Sequence, residues 1–230
     1  MTLSFFSDVF VINQISRVDR AREVSEELRK IGCDRFTLFK AVEPADVSGP
    51  GVIPDRRLRR MCCTLSHLSV LKQAKERGLE SVLIFEDDAV FEDDFLEHLP
   101  ATLSFLNSTP WDMFYFGINH VNPPLNTSIE NIKKVTHGYT LHAYAIHSRF
   151  LDYAINLITY GSSTADQKGK VPFSKMLNHD PIDVLYARVH HNHAIYSSFP
   201  RLVYQRDGYS GIEGTMVAYS NGLRDTRKKP

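Results

Sequence analysis

The run SVLIF at 81–85 ends on three consecutive acids, Glu86, Asp87 and Asp88, and a second trio follows at Glu92, Asp93 and Asp94. A short, continuously apolar run reads as a central strand, and in an open α/β sheet ligands bind beyond the carboxyl ends of such strands. If the strand stays extended through the acids, its two-residue period sets Glu86 and Asp88 on one side and Asp87 on the other. Two carboxylates facing one point raise each other's pKa unless a cation sits between them, and hard oxygen ligands suit Mg²⁺ or Mn²⁺. Such an ion usually brings a phosphate with it. The competing reading is a solvated acidic loop with Asp93 or Asp94 as a helix N-cap. The second trio is assigned to caps and surface.

The elements that must hold these acids follow from periodicity. VFVIN (9–13) reads as a strand, and Val18, Ala21, Val24, Leu28 and Ile31 recur at helical spacing after it, with Ser16 and Asp19 resembling a capping box and Gly32 closing the end. RFTLF (35–39) is a second strand, followed by a Pro/Gly-rich loop from Glu43 to Pro54. Leu58, Met61, Leu65, Leu68, Leu71 and Ala74 form a further helical stripe ending at Gly78, before the strand SVLIF. Strands are also predicted at 112–117 and 140–148 and a helix after Ser148, so strand and helix alternate and the fold class is α/β. GSSTADQKGK (161–170) is loop-like and lacks the first Gly and the final Ser or Thr of a phosphate loop, which fall on Thr164 and Val171.

The chain has 230 residues and 43% hydrophobic content, enough for a real core in one large domain or two small ones. Lys and Arg total 27, as do Asp and Glu, so there is no electrostatic footprint for nucleic acid. Cys33, Cys62 and Cys63 are odd in number and lack CxxC spacing, which points to a reducing compartment. No signal peptide or membrane span is expected, which makes the chain cytoplasmic, with peripheral contact at a membrane left open. Asn107 and Asn126 lie in sequons that matter only in a secretory compartment. RDTRKKP at the end reads as a frayed basic tail.

Seven ordered pieces carry a resemblance across nearly the whole chain: VFVINQISRVDR near the start, CTLSHLSVLKQA (63–74), LIFEDDAVF (83–91), WDMFYFG (111–117), HAYAIHSRFL (142–151), PIDVLY (181–186) and PRLVYQRDGYSGI (200–212). In these the sequence resembles glycosyltransferase family 25, the family of bacterial lipooligosaccharide and procollagen galactosyltransferases. The resemblance implies a GT-A-type fold, a Rossmann-like mixed sheet flanked by helices. Within a single domain, about 1–118 would form the nucleotide-sugar-binding half, about 119–215 the acceptor-binding half and 216–230 a tail. It also implies a UDP-hexose donor, a divalent metal at the acidic motif (Glu86 and Asp88, with Asp87 in the donor-binding set), a glycan or lipid-linked saccharide acceptor, and inversion at the anomeric carbon.

Chemistry and resemblance together give the candidate roles. Departure of a nucleoside diphosphate develops charge that a metal at Glu86 and Asp88 would stabilise. A carboxylate must take the acceptor proton, and Asp183 in HDPIDVLY is the candidate, with Asp180 in reserve. Asp183 also reads as a first-turn acid behind an Asp180 cap and Pro181 at the first helical position. His67 corresponds to the family's Ser-His pair, Asn13, Arg17 and Arg20 to its nucleotide contacts, and Gln205 and Ser210 to a C-terminal donor-pocket element. Against these stand the plainer roles of core histidine and solvated helix face. Ile15, Ser16 and Val18 depart from the family's Asp, Arg and Pro, and DRRLRRMCC (55–63) lacks its Gly-containing turn. The arginines at 56, 57, 59 and 60 read as a wet helix face or a hold on an anionic group. His190, His191 and His193 have no partnered metal spacing. Trp111, Tyr115 and Tyr144 are candidates for stacking on sugar or uracil, or for core. Two rival functions remain: a non-catalytic nucleotide-sugar-binding protein and a metal-dependent nucleotidyl or phosphoryl transferase.

Overall fold

A computed structural model describes residues 2–48, 55–161, 176 and 179–218. Its main sheet has eight strands in the order β2-β1-β3-β8-β5-β9-β7-β6. β1 (Asp8–Asn13) pairs in parallel with β2 (Thr37–Lys40) and β3 (Ser81–Glu86). β8 (Gly138–His147) lies antiparallel between β3 and β5 (Met113–His120), which makes the sheet mixed. β9 (Ile195–Ser198) runs parallel to β5, and β7 (Ile132–Lys134) and β6 (Leu125–Asn126) complete the far edge. Two small antiparallel pairs lie outside the sheet: β4 (Ala89–Phe91) with β10 (Val203–Gln205), and β11 (Gly208–Ser210) with β12 (Thr215–Val217). This is the mixed α/β arrangement expected from the sequence, with helices on both faces.

The continuous apolarity of the strands has its explanation in that double cover. Phe10, Ile12, Val82 and Ile84 point into one core, which α3 (Arg56–Glu76), α5 (Ser148–Tyr160) and α6 (Ile182–Ala187) close with Leu68, Leu71, Leu151, Ile158 and Leu185. Val9, Val11, Leu83 and Phe85, one residue out of phase, point into the second core. There α1 (Val18–Lys30) and α4 (Phe95–Ser108) supply Val24, Leu28, Leu99 and Leu103. Trp111, Tyr115 and Tyr144 are at most 3% exposed, so these aromatics are core and present no face for stacking on a sugar or base.

Several local expectations change. β3 ends at Glu86 and the chain turns at Asp87 and Asp88, so the extended path through all three acids does not form. Part of the expected loop after Glu43 is a short helix, α2 (Pro44–Ser48); positions 49–54 lie outside the described residues, as do 162–170 of the second loop and 219–230 of the tail. α1 begins one residue after Arg17, with no side-chain cap, because Asp19 is engaged by the Arg17 guanidinium and no Ser16 capping box forms. Val18, counted on the buried stripe, is 72% exposed. Asp180 is ion-paired with Arg188, and Pro181 takes the cap position of α6. Asp94 does cap α4 by position, without a side-chain cap bond.

One glycine fixes how the sheet meets the β4–β10 pair. A Cβ at Gly117 would run into the carbonyl oxygen of Val203 and Nε2 of His142, which hydrogen-bond each other at 3.1 Å. Backbone and a buried ring cannot yield cheaply, so Gly117→Ala is expected to destabilise by about 3 kcal/mol or more, read from denaturant midpoints. A variant within 1 kcal/mol of the parent would show that the packing there is loose.

Candidate functional site

The register of the parallel strands builds the site. Ile12 lies opposite Glu86, so the carboxyl end of β1 at Asn13 sits beside the acidic turn. Pairing of Gln205 with Ala89 brings β10 over that turn, and the backbone N–H of Arg206 donates to the Asp88 carbonyl at 2.8 Å. α3 presents Cys63, Ser66 and His67 from the opposite wall, and Arg17 and Arg20 come from the start of α1. With Tyr209 and Ser210 of β11 these residues line a cleft of about 320 Å³, within the range that holds cofactors and nucleotides.

Within the cleft the three acids divide their roles. Asp87 is the structural one: Asn13 Nδ2 donates to its Oδ2 at 2.9 Å and Arg20 Nη1 to its Oδ1 at 2.9 Å. Burial still leaves its carboxyl above the usual range despite those two partners. Glu86 reaches the other way, its Oε1 lying 3.2 Å from His67 Nε2 and 3.9 Å from Cys63 Sγ. Burial alone would lift the Glu86 carboxyl, but the bond and charge from His67, with help from His142 and Arg20, hold it below its ordinary value.

Asp88 takes the opposite shift. Burial first, then the charges of Glu86 and Asp87, push its carboxyl up to about 8, with Arg20 at 3.7 Å only partly offsetting them. Its Oδ1 is buried with no hydrogen-bond partner among the described residues. An orphaned carboxylate oxygen among like charges is what a cation would complete, so the residues fit a hard divalent ion. Arg20, which also donates to the Tyr209 carbonyl at 2.7 Å, is the cation that faces Asp87 and Asp88 in this structure.

Asp183 is not in the cleft lining. It lies in the first turn of α6, where its Oδ1 accepts from its own helix at the Val184 N–H, 2.9 Å, and it also accepts from the backbone N–H of Thr140. Burial raises its carboxyl, and the Glu86 charge adds to this. Thr140 aims that N–H from a φ of 85°, a strained backbone for a β-branched residue and a mark of a specially held position. His190 is a core histidine: burial lowers its pKa to about 3 and its Nε2 meets the Tyr115 hydroxyl at 3.0 Å. His193 packs on Phe150 and Tyr153. Neither lines the cleft.

Thus eight of the ten proposed residues, Arg17, Arg20, His67, Glu86, Asp87, Asp88, Gln205 and Ser210, meet in one cleft, while Asn13 stands behind Asp87. Sequence reasoning missed Cys63 and Tyr209 on its wall. The signal for Cys63 was available in its four-residue spacing from His67 on one helix face.

The fold and the cleft together define a mixed α/β protein with an acidic strand end facing the cleft. Residues 58–137 match the family model of glycosyltransferase family 25 (LPS biosynthesis protein). The chain is 35% identical over 89 residues to the human inactive glycosyltransferase 25 family member 3, an alignment covering 36% of this chain and 15% of that protein. It is 29% identical to mouse procollagen galactosyltransferase 2 over 83% of this chain and 31% of that one. The chain therefore spans under a third of the length of either relative. Among solved structures, the "Crystal structure of a glycosyltransferase involved in the glycosylation of the major capsid of PBCV-1" aligns over 83% of this chain and 91% of that one, at 15% identity and a TM-score of 0.38.

Proposed function

We propose that this protein is a glycosyltransferase that moves a hexose, galactose first among the choices, from a UDP-sugar to a hydroxyl of a glycan or lipid-linked saccharide, with inversion and with Mn²⁺ or Mg²⁺. The observation that carries the reading is Asp88, a buried carboxylate with an unpartnered oxygen beside Glu86, at the strand end where the family motif falls. Asp88 and Glu86 would hold the ion, which when bound supplies charge stabilisation to a departing diphosphate. Arg17 and Arg20 bind diphosphate oxygens as fixed cations at the start of α1. Asn13 keeps Asp87 oriented, and Gln205 and Ser210 bound the donor from β10 and β11. Asp183 accepts the proton of the attacking hydroxyl. No helix among the described residues is long and apolar enough to cross a membrane; the reading places the acceptor on the aqueous side or at a membrane surface, in the cytoplasm.

A non-catalytic nucleotide-sugar-binding role is the second reading. The inactive human relative supports it, as does Arg20, which already lies against the two aspartates a metal would need. Melting curves with UDP, GDP and their sugars, with and without Mn²⁺, test binding, and UDP release over an acceptor panel tests turnover. A ligand present at 100 times its Kd stabilises the folded state by about 2.7 kcal/mol. We expect a rise with UDP that requires Mn²⁺, and free UDP from UDP-galactose. Binding without release over the panel favours the second reading; a pyrophosphate or phosphorylated product would make it a nucleotidyl or phosphoryl transferase; indifference to every nucleotide would sink all three.

A further inference from the structure

We propose that Cys63, His67 and Glu86 form a site for a borderline-soft divalent cation of the Zn²⁺ class on the inner wall of the cleft, different in ligand chemistry from the oxygen-bound ion assigned to Asp88. Cys63 and His67 are four residues apart on α3 and so share a face, and Glu86 meets them from the end of β3. The three ligand atoms lie within 4.8 Å of one another, with Oε1 3.2 Å from Nε2 and 3.9 Å from Sγ. Zinc bonds of about 2.3 Å to sulfur and about 2.0–2.1 Å to nitrogen or oxygen, set at tetrahedral angles, place ligand atoms about 3.3–3.6 Å apart. The histidine–carboxylate pair is already at that spacing, and the thiol, 3.9 Å from Oε1 and within 4.8 Å of Nε2, must swing inward to close on both.

The support behind the ligands is built too. His67 is fully buried, and its Nδ1 lies 3.1 Å from the hydroxyl of Tyr144, itself fully buried, which fixes the ring with Nε2 toward Glu86. An outer partner on the second ring nitrogen is the usual companion of a ligating histidine. All three residues line the cleft, so a fourth position opens to water or a ligand oxygen, the pattern of an open zinc site. Sulfur and imidazole select zinc or cobalt over magnesium and manganese. On binding, the Cys63 thiol gives its proton to solvent as the metal–sulfur bond forms, with no change of oxidation state. On the glycosyltransferase reading both ions would draw on the Glu86 carboxylate, whose described contacts to Cys63 and His67 run through Oε1, so zinc competes with manganese for this residue.

Cobalt titration of the purified chain tests the site without any activity assay. One equivalent of Co²⁺ should produce a thiolate-to-cobalt charge-transfer band that Zn²⁺ removes. Cys63→Ser should cut the band at least tenfold, whereas Cys62→Ser and Asp88→Asn should keep it. Zinc-edge X-ray absorption of the unmodified chain provides a readout that needs no variant, and one sulfur at about 2.3 Å is expected. A band that survives Cys63→Ser, a band lost in Asp88→Asn, zinc seen with oxygen and nitrogen alone, or no binding of either metal would each overturn the proposal.

Discussion

Asp88→Asn is expected to raise the melting temperature of the ligand-free chain at neutral pH and to abolish its manganese-dependent response to UDP. The first half follows from linkage. The Asp88 carboxyl moves from 3.8 to about 8 on folding, chiefly through burial and then through Glu86 and Asp87. An acid whose folded pKa is raised keeps its proton in the native state while the unfolded chain releases it, so this group lowers stability progressively as pH rises from about 4 to about 8. Asparagine removes that slope. The variant should match the parent near pH 4 and exceed it at pH 8 by a few kcal/mol, each worth about 2–4 °C in a chain of this size. The second half follows from ligation, since an amide lacks the charge that holds a hard cation. Turnover, if present in the parent, should fall about 10²–10³-fold. Stability profiles that run parallel from pH 4 to pH 8 would show that Asp88 is not the strained member of the trio. An Asn variant that still responds to UDP only with Mn²⁺ would remove Asp88 from the metal site.

A gain in stability on losing a functional carboxylate is the mark of a site kept at the expense of the fold. The sequence made the trio visible but not its division. Alternation of apolar strands with helical stripes located β1, β3, β5, β8, α3 and α5, because burial on both faces leaves an unbroken hydrophobic signature. It could not tell that the chain turns after Glu86: extended and turned backbones accommodate three acids equally, and the turn is set by long-range partners, Asn13 and Arg20 on Asp87 and the Arg206 N–H on the Asp88 carbonyl. Cys63 carried a local signal in its four-residue spacing from His67, but its other neighbour, Glu86, is 23 positions away in sequence and had no such signal. Aromatic residues were ambiguous for the opposite reason. Stacking platforms and core fillers have the same composition, and only the zero exposure of Tyr144 assigns it to a supporting role behind His67.

Asp183→Asn should lower kcat about 10²–10⁴-fold while leaving the UDP and Mn²⁺ melting response unchanged. The two readouts separate because Asp183 lies outside the lining of the cleft proposed for the donor, yet close enough for its carboxyl to feel Glu86. Burial raises its pKa above the ordinary carboxylate value, whereas the N–H groups of Val184 and Thr140 favour its ionised form. A general base works deprotonated, so kcat in the parent should climb with pH through that raised value and then level off. Asparagine keeps one accepting oxygen, enough for the Val184 N–H, but cannot take a proton, so its pH profile should lose this limb and not merely shift it. The strained backbone of Thr140 supplies an internal check. Thr140→Gly relieves φ 85° and retains the N–H, and should therefore preserve the limb. Full turnover in Asp183→Asn would mean that the acceptor proton leaves by another route. Asp180, ion-paired to Arg188 and half-buried, is poorly placed to supply one, and attention would pass to Glu86, the acid whose pKa His67 holds down.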